Sequence, residues 1–367
     1  MGSLAACDLA RAGATIALID QAELPNPAGA SIDHSKVFRF AYPDPLYASL
    51  AVRALDLWRR LEQITETRLL TQTGVLVIET GASPGEGDTF ETLQSLGLDV
   101  ALMTSAETVA KFPQFNPEAF RRGVYDPHGG ILNAESAVRA AITVARRNGV
   151  KVCEGERVTR IDPGPEKRLI VISESGRRFD CQKVMIASGP WTRVLLPFLG
   201  SRLITTRQET VYFEPVSKKV SFEPGSFPIF LELDSGFYGF PVHHEGAMKL
   251  ANHHKGSVVD PYSFDDKVGP DFISKSRAFF TALIPELRDA TVKETRVCLY
   301  NNTPDDDFIV DWHPELDNVL IVSGFSGHGF KFGTAIGQIS AELLTTGRTS
   351  YDVERFRLSR FGEAGGS

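Results

Sequence analysis

Cysteine is scarce in this 367-residue chain, and no two of its four copies form a C-x-x-C pair. The sequence therefore indicates neither a zinc site nor a framework of disulfide bonds. We expect three copies to be buried as small hydrophobic side chains, while the fourth has a separate role described below. The four are Cys7, Cys153, Cys181 and Cys298.

The chain also has no long apolar run, no excess of positive charge and no internal repeat. Because no stretch could span a bilayer and no basic-then-apolar signal is present, we expect no membrane association and a cytoplasmic location. The formal net charge of −7 argues against a general nucleic-acid role, while leaving room for a local basic pocket that binds an anionic substrate. The length suits one large or two ordinary domains.

The first twenty residues predict a helix followed by a buried strand. Small residues favour a helix over 3–12, and residues 14–19 form an apolar strand that ends at Asp20. An acid at this point is where a dinucleotide-binding fold holds an adenosine ribose hydroxyl. Only Gly2 represents the glycine-rich turn before the helix, so we expect the sequence to begin inside that fingerprint, with Met1 an internal methionine of the gene product. A helix–strand pair without a cofactor is the alternative.

The remaining pattern predicts parallel strands with helices at both ends and near the middle of the chain. A loop is expected over 22–36, with helices over 46–63, 134–148 and 334–344, and strands within 74–78, 157–161, 169–173, 183–187 and 319–323. Aromatic and β-branched runs over 205–250 favour an antiparallel sheet. The predicted fold class is α/β (α+β, two domains). A discontinuous Rossmann-like domain would take residues 1–72, 130–202 and 300–367, and an antiparallel-sheet substrate domain would take 73–129 and 203–299.

The last third of the chain is the most informative segment. Cys298 is followed by a glycine-dense loop that ends in a cation, over 324–331, and by a helix-like segment. Glycines let the backbone approach a flat ligand closely, and a helix start offers free N–H groups and a positive dipole end. This combination predicts the floor of a flavin site.

These residues resemble monomeric sarcosine oxidase and its relatives, which include N-methyltryptophan oxidase, pipecolate and saccharopine oxidases, and fructosyl-amino-acid oxidases. The similarity covers nearly the whole chain, and its main segments are 31–42, 188–191, 238–253, 297–300, 303–311 and 324–332. The resemblance implies an FAD-dependent amine oxidase that uses O2 to convert a small amino-acid substrate into an imine and H2O2. It further implies a monomer without a metal.

The resemblance also implies roles for individual residues. Cys298 would hold the flavin covalently, with a buried core cysteine as the alternative. Arg39 and Lys331 would clamp the substrate carboxylate, although a lone arginine at a strand end is often merely solvated. Lys249 would promote oxygen reduction through its fixed charge, with an exposed strand lysine as the alternative.

Tyr238 and His253 match active-site positions of the family. His254 is the alternative to His253, because neighbouring residues on a strand face opposite sides. Beyond Cys298 and Lys331, the residues expected at the cofactor are Gly2, Asp20, Ser31, Ser35, Lys36, Val158, Ser188, Gly189, Trp191, Leu299, Phe325, Gly327, His328 and Gly329.

Substrate and acceptor stay open at this point. Lys36 stands where the sarcosine oxidases carry an arginine and where the fructosyl-amine branch has a lysine in a comparable motif. Sarcosine-like, N-alkyl, cyclic and fructosyl amino acids are all candidates. Asp305–Asp307 are interpreted as a solvated turn rather than a metal site, because no other ligand cluster accompanies them. A flavin dehydrogenase with another electron acceptor and a non-catalytic flavin-fold binding module remain as alternative functions.

Overall fold

The protein is described by a computed structural model that covers residues 1–80, 85–216 and 219–362. The helices within these ranges are α1 (Gly2–Arg11), α2 (Pro45–Thr65), α3 (Gly85–Ser95), α4 (Ser105–Lys111), α5 (Ala134–Arg147), α6 (Thr192–Leu195), α7 (Pro270–Leu283) and α8 (Gly333–Thr346). None of them combines the length and the apolar character needed to cross a membrane.

The strands within the same ranges form five sheets. They are β1 (Ala17–Ile19), β2 (Ser35–Phe38), β3 (Leu70–Gln72), β4 (Val75–Glu79), β5 (Ala101–Thr104), β6 (Arg122–Asp126), β7 (Gly130–Asn133), β8 (Lys151–Cys153), β9 (Val158–Pro163), β10 (Leu169–Ser173), β11 (Arg178–Cys181), β12 (Val184–Ile186), β13 (Ile204–Glu214), β14 (Ile229–Glu232), β15 (Phe237–His244), β16 (Ala247–Asn252), β17 (Thr291–Asn302), β18 (Ile309–Trp312) and β19 (Val319–Ser323).

The largest sheet has eight strands in the order β17-β13-β16-β15-β14-β4-β6-β5. Its neighbours are antiparallel except for β14 and β4, which run parallel. A buried aromatic cluster that includes Phe115, Phe227, Phe230 and Phe280 packs against it. The antiparallel sheet predicted within 205–250 is thus present, with additional strands from residues 75–126.

Parallel pairing occurs where the sequence predicts helices and apolar strands in alternation. β1 pairs with β8, and β12 pairs with β19. Helix α1 packs between α5 and α8 beside these strands. Asp20 directly follows β1, so the predicted acid does stand at the end of a strand.

The helix α2 illustrates how local sequence sets an element. Asp44 caps its start by accepting a hydrogen bond from the Leu46 amide at 2.9 Å, and proline occupies the first turn. Glu66, in a left-handed conformation at φ 52°, ends it. The buried face includes Trp58, whose indole N–H donates to the Lys331 carbonyl at 2.7 Å. This contact joins the helix to the glycine-dense loop.

Two predicted boundaries are wrong. The strand predicted over 14–19 is limited to β1, because its last three residues pair with β8, while Ile16 contributes its carbonyl, which accepts from the Lys151 amide at 2.9 Å. The loop predicted over 22–36 ends earlier, because Ser35 and Lys36 pair with β7 and thereby begin β2. In both cases pairing with a distant strand decides the boundary, and the local sequence does not contain that information.

The contact between α1 and α8 leads to a prediction about stability. A Cβ atom added at Gly337 would lie 3.0 Å from the Leu4 Cβ and 3.1 Å from the Ala5 amide nitrogen. We expect Gly337→Val to lower the free energy of unfolding by about 1–3 kcal/mol, because the added atoms overpack this interface. Denaturant unfolding measures the change.

The control is Thr345→Val, which places the same side chain on an exposed position of α8. We expect the control to change the free energy of unfolding by no more than about 0.5 kcal/mol. Equal losses in the two variants would contradict the proposed role of Gly337 in helix packing.

Candidate functional site

A cavity lies where β2, β15, β16, β17 and the glycine-dense loop meet. The structure brings all predicted catalytic and substrate-binding residues to this cavity: Arg39, Tyr238, Lys249, His253 and Lys331. Four of the predicted cofactor-binding residues also line it: Lys36, Cys298, Gly327 and His328.

Arg39 and Lys331 give the cavity two cations. The Lys331 ammonium donates to the Tyr42 hydroxyl at 2.9 Å and to the His328 carbonyl at 2.8 Å. Arg39 donates to the Ala41 carbonyl, and its guanidinium carbon lies 4.1 Å from the Tyr42 ring centre. Within the part of the chain that the structure describes, no carboxylate forms an ion pair with either cation. Such a pair favours an anionic ligand.

Burial and the nearby Arg39 charge hold the pKa of Lys331 well below its usual range. A carboxylate entering the cavity would raise that pKa again, because it favours the charged ammonium. An anion that entered this cavity would therefore favour the protonated form of Lys331.

Two of the histidines that line the cavity are held in the neutral form. Burial, followed by Arg39 and Lys331, lowers the pKa of His253 to about 4, even though the residue is partly open to solvent. Burial and Lys331 hold the pKa of His328 well below its usual range. A neutral imidazole near a substrate can accept or donate a hydrogen bond without competing for the carboxylate.

The alternative between His253 and His254 rests on strand alternation, which does not apply here. Strand β16 ends at Asn252, so neither histidine belongs to the strand, and both line the cavity. The His253 ring lies 5.9 Å from the Tyr300 ring and 6.5 Å from the His328 ring, between centres.

Strand β17 presents the predicted thiol to the cavity. Cys298 and Tyr300 both line it, as residues two apart on a strand should, whereas Leu299 between them is 1% exposed and faces the other side. Burial raises the pKa of the Cys298 thiol, while the charge of Lys36 opposes the shift. Cys298 is a free cysteine.

Lys249 is 2% exposed, so the alternative of an exposed strand lysine is wrong. Its ammonium donates to the Asp33 carboxylate at 2.5 Å and to the Ser35 carbonyl at 3.0 Å. The Tyr212 hydroxyl donates to the other oxygen of Asp33 at 2.8 Å. Sequence reasoning did not identify Asp33, whose partner on β16 is 216 residues away.

The charge of Asp33 is shared among several cations. Burial by itself would raise the pKa of Asp33, but Lys249, Lys36 and the two hydrogen bonds hold it well below its usual range. Lys36 lies 3.7 Å from the carboxylate and Arg296 lies 3.9 Å from it. Burial lowers the pKa of Lys249, and Asp33 opposes that shift.

Ser35, predicted at the cofactor, is fully buried and engaged by the protein. The His243 ring lies 2.7 Å from the Pro241 carbonyl through Nδ1 and 2.9 Å from the Ser35 hydroxyl through Nε2. Burial lowers the pKa of His243 to about 4, so the ring is neutral. Nδ1–H then donates to the carbonyl, and the Ser35 hydroxyl donates to Nε2.

A group of possible metal ligands lies next to this network. His34, His244 and Glu294 have ligand atoms within 4.8 Å of one another. However, the Arg296 guanidinium lies 3.0 Å from His34 Nε2 and 3.5 Å from the Glu294 carboxylate. This cation already occupies the acceptor atoms, so the geometry favours a hydrogen-bonded cluster rather than a metal centre.

Several predicted cofactor residues lie outside the cavity. Asp20 accepts hydrogen bonds from the Ala22 amide at 3.0 Å and the Asn26 side chain at 2.9 Å, while Ser31 is exposed in the loop before β2. The others lie at element ends or in turns: Gly2 at the start of α1, Val158 at the start of β9, Ser188, Gly189 and Trp191 after β12, and Phe325 and Gly329 in the glycine-dense loop.

The glycine-dense loop is constrained by its own protein neighbours. A Cβ at Gly327 would lie 2.1 Å from the Tyr300 ring, at φ 77°, and a Cβ at Gly329 would lie 2.4 Å from the Phe325 Cβ. The prediction attributed these glycines to the approach of a flat ligand. Their immediate cause in the structure is contact with aromatic side chains that line or support the cavity.

The donor groups around these turns suit a dinucleotide cofactor. The indole N–H of Trp191 is buried and has no hydrogen-bond partner among the described residues. The same residues supply no side-chain cap to the first turn of α1, where the Leu4 amide donates to the Met1 carbonyl at 3.0 Å and the Gly2 and Ser3 amides are left for an anion. A ligand with acceptor atoms would satisfy both, and FAD offers phosphate, ribose and ring acceptors.

Comparison with known proteins agrees with this geometry. The family model described as FAD dependent oxidoreductase (DAO) matches residues 1–343. The peroxisomal sarcosine oxidase of Mus musculus is 34% identical over 373 residues, which cover 98% of this chain and 93% of that protein. The monomeric sarcosine oxidase of Bacillus sp. (strain B-0618) is 32% identical over 368 residues, with coverages of 98% and 93%.

A solved structure with the same fold is the L-proline dehydrogenase of P. horikoshii, with a TM-score of 0.86 and 21% identity. The match covers 98% of this chain and 94% of that one. The fold and the cavity thus define a flavin-dependent oxidoreductase. This chain belongs to the family of FAD dependent oxidoreductases. The predicted resemblance, the fold class, the FAD cofactor and the assignment as an FAD-dependent amine oxidase are confirmed.

The ion pair of Asp33 leads to a prediction about stability and pH. We expect Asp33→Asn to lower the free energy of unfolding by about 3–5 kcal/mol at pH 7, because it leaves a buried ammonium without its counter-charge. The pKa of Asp33 is lower in the folded state than in the unfolded state. Its contribution is therefore complete above the unfolded pKa of about 3.9 and is lost as the pH falls toward the folded pKa.

The measurement is the difference in free energy of unfolding between the native protein and Asp33→Asn. Denaturant titrations at pH values from neutral to acid supply it. The control is Asp126→Asn, at a buried carboxyl whose pKa burial raises. For Asp126 the pH dependence has the opposite sign, so the contribution of the native carboxyl group to stability is lost as the pH rises. A difference for Asp33 that does not change below about pH 4 would contradict its ionised, paired state.

Proposed function

We propose that the protein oxidises the C–N bond of a secondary or N-substituted amino acid, with O2 as the electron acceptor and H2O2 as a product. The observation that carries the proposal is the pair of cations, half-buried Arg39 and buried Lys331, which line one cavity without an acidic partner among the described residues. Two cations directed at one carboxylate provide orientation as well as affinity.

Bound FAD would supply the redox chemistry, taking a hydride equivalent from the carbon next to nitrogen and passing electrons to O2. The residues of the chain orient the substrate and set the local charge. Arg39 and Lys331 hold the carboxylate, while the neutral His253 and the protonated Tyr238, whose pKa burial raises, provide hydrogen bonds near the amine. Released imine hydrolyses in water to an amine and a carbonyl compound.

Lys249 is proposed to assist the reaction with O2. Its ammonium is fixed by Asp33 and Ser35 and lines the cavity. A buried, fixed cation stabilises developing superoxide without a proton transfer. We therefore favour an oxidase over a dehydrogenase with another acceptor, and peroxide release compared with dye reduction separates the two.

The proposed substrates are sarcosine-like, N-alkyl, cyclic and fructosyl amino acids. The sarcosine oxidases named above support the N-methyl class. Lys36, at a position of interest for the fructosyl class, lies beside Asp33 and lines the cavity. Peroxide release from a panel of such amino acids tests the proposal, and a protein that binds FAD but turns over none of them would overturn it.

Lys331→Met tests the carboxylate clamp. We expect kcat/KM to fall roughly 10–100-fold, because a charge-assisted hydrogen bond contributes about 1.5–3 kcal/mol. The matching decarboxylated amine should show no such loss, since it has no carboxylate to bind. The control is Lys151→Met, at an exposed position of β8. An equal loss with both ligands would argue against a clamp.

Cys298→Ala tests the proposed covalent attachment. We expect the native protein to remain yellow after denaturation and acid precipitation, and the variant to release its flavin, because a thioether survives unfolding and a reversible complex does not. Absorbance of the precipitate measures the result. The control is Cys181→Ala, which removes a half-buried thiol from β11. Colourless native precipitate would disprove the covalent bond.

A further inference from the structure

The proposed function requires a positive charge on Lys249, and the surroundings of Lys249 oppose that charge. A lysine that acts through its charge needs to stay protonated, yet Lys249 is almost fully enclosed and packs 4.9 Å from the Phe240 ring centre. Burial of an ammonium favours the neutral amine. Some group of the protein must therefore oppose the loss of the proton.

We propose that Asp33 is a positioning residue that keeps Lys249 protonated and fixed toward the cavity. The proposal rests on the proposed function in one respect, namely that the charge of Lys249 assists the reaction with O2. Its basis is geometric: the carboxylate lies 2.5 Å from the ammonium and is itself 5% exposed. Tyr212 donates to the second oxygen of the same carboxylate and so fixes its orientation.

Other charged groups near this pair do not replace Asp33. The titratable groups that face Lys249 or Asp33 from the packed elements are Lys36 on β2, Tyr212 on β13, Tyr238 and His243 on β15, and Arg296, Cys298 and Tyr300 on β17. Lys36 and Arg296 are cations, which oppose a charge on Lys249, and His243 is neutral. Asp33 is thus the anion next to Lys249 among the described residues.

Glu294 does not compensate for Asp33. Its carboxylate lies 3.5 Å from Arg296 and 3.1 Å from His34, so its charge is directed to the outer side of the cluster. Loss of Asp33 would leave Lys249 beside two further cations and no adjacent anion. The protonated form would then become unfavourable within the pH range of an ordinary assay.

The reaction that depends on this charge balances without a proton from Lys249. O2 receives two electrons from reduced FAD together with two protons and leaves as H2O2, while FAD returns to the oxidised form. Lys249 contributes its fixed charge to the first electron transfer. Asp33 acts only through Lys249 and touches neither reactant in this account.

The test compares Asp33→Asn with the native protein in two pH profiles. One is the rate constant of reoxidation of the reduced, FAD-loaded protein by O2, followed by stopped-flow absorbance. The other is the association constant of sulfite with the oxidised, FAD-loaded protein, an equilibrium that responds to positive charge at the flavin and needs neither O2 nor an amine. Both should decline as Lys249 loses its proton with rising pH.

We expect the midpoint of this decline to fall by about 1–3 pH units in Asp33→Asn, the shift typical of losing an adjacent opposite charge. Tyr212→Phe is the matched control, because it removes a neutral hydrogen bond to the same carboxylate and no charge. Its midpoint should stay near the native value. Lys249→Met should have no such decline with or without Asp33.

The loss of stability expected for Asp33→Asn calls for a second variant. Asp33→Asn combined with Lys36→Met removes one anion and one cation together, and its midpoint should still lie below the native value, since Asp33 contacts Lys249 directly. Unchanged midpoints in both variants would overturn the proposal. A decline that persists in Lys249→Met would overturn it as well.

The same data separate this inference from the proposed function. If the native protein releases no peroxide with any amine, but the sulfite midpoint of Asp33→Asn lies below the native midpoint as expected, the role of Asp33 holds and the proposed reaction with O2 is wrong. If the native protein releases peroxide and the sulfite midpoint of Asp33→Asn equals the native midpoint, the proposed oxidase function holds and the inference about Asp33 fails.

Discussion

The buried ion pair between Asp33 and Lys249 joins two parts of the fold that the chain makes separately. Asp33 precedes β2, which pairs with β7, whereas Lys249 lies in β16 of the eight-stranded sheet. This contact helps to fix the segment that bears Arg39 against the sheet. Because an unpaired charge at either position would be strongly destabilising, the pair restricts the placement of these two sheets relative to each other.

This restriction explains the uneven charge of the cavity. On one side Lys249 and Lys36 share the carboxylate of Asp33, so their charge is partly offset. On the other side, the partners of Arg39 and Lys331 among the described residues are hydroxyl, carbonyl and aromatic groups. Under the proposed function, an incoming carboxylate would be attracted to the second side, where it would not compete with Asp33. The position of one internal anion would then direct the orientation of an external one.

The sequence predicted those parts of the fold that depend on local pattern. The apolar spacing of α2 and the aromatic runs of β13–β16 both specify structure within a few residues. Asp33 carries no such signal. It stands in a polar loop with His34 beside it, and its significance arises only from a partner more than two hundred residues away.

The sequence attributed the glycines of the glycine-dense loop to the approach of a flat ligand, whereas the structure shows a different immediate reason for them. The spacing of Gly327 and Gly329 is required by Tyr300 and Phe325, side chains that no local rule places beside them. Tyr300 in turn lines the cavity together with Cys298. The loop therefore packs on the same face of β17 that presents the thiol, and a larger residue at Gly327 would displace Tyr300. The glycines shape the cavity by admitting its aromatic wall.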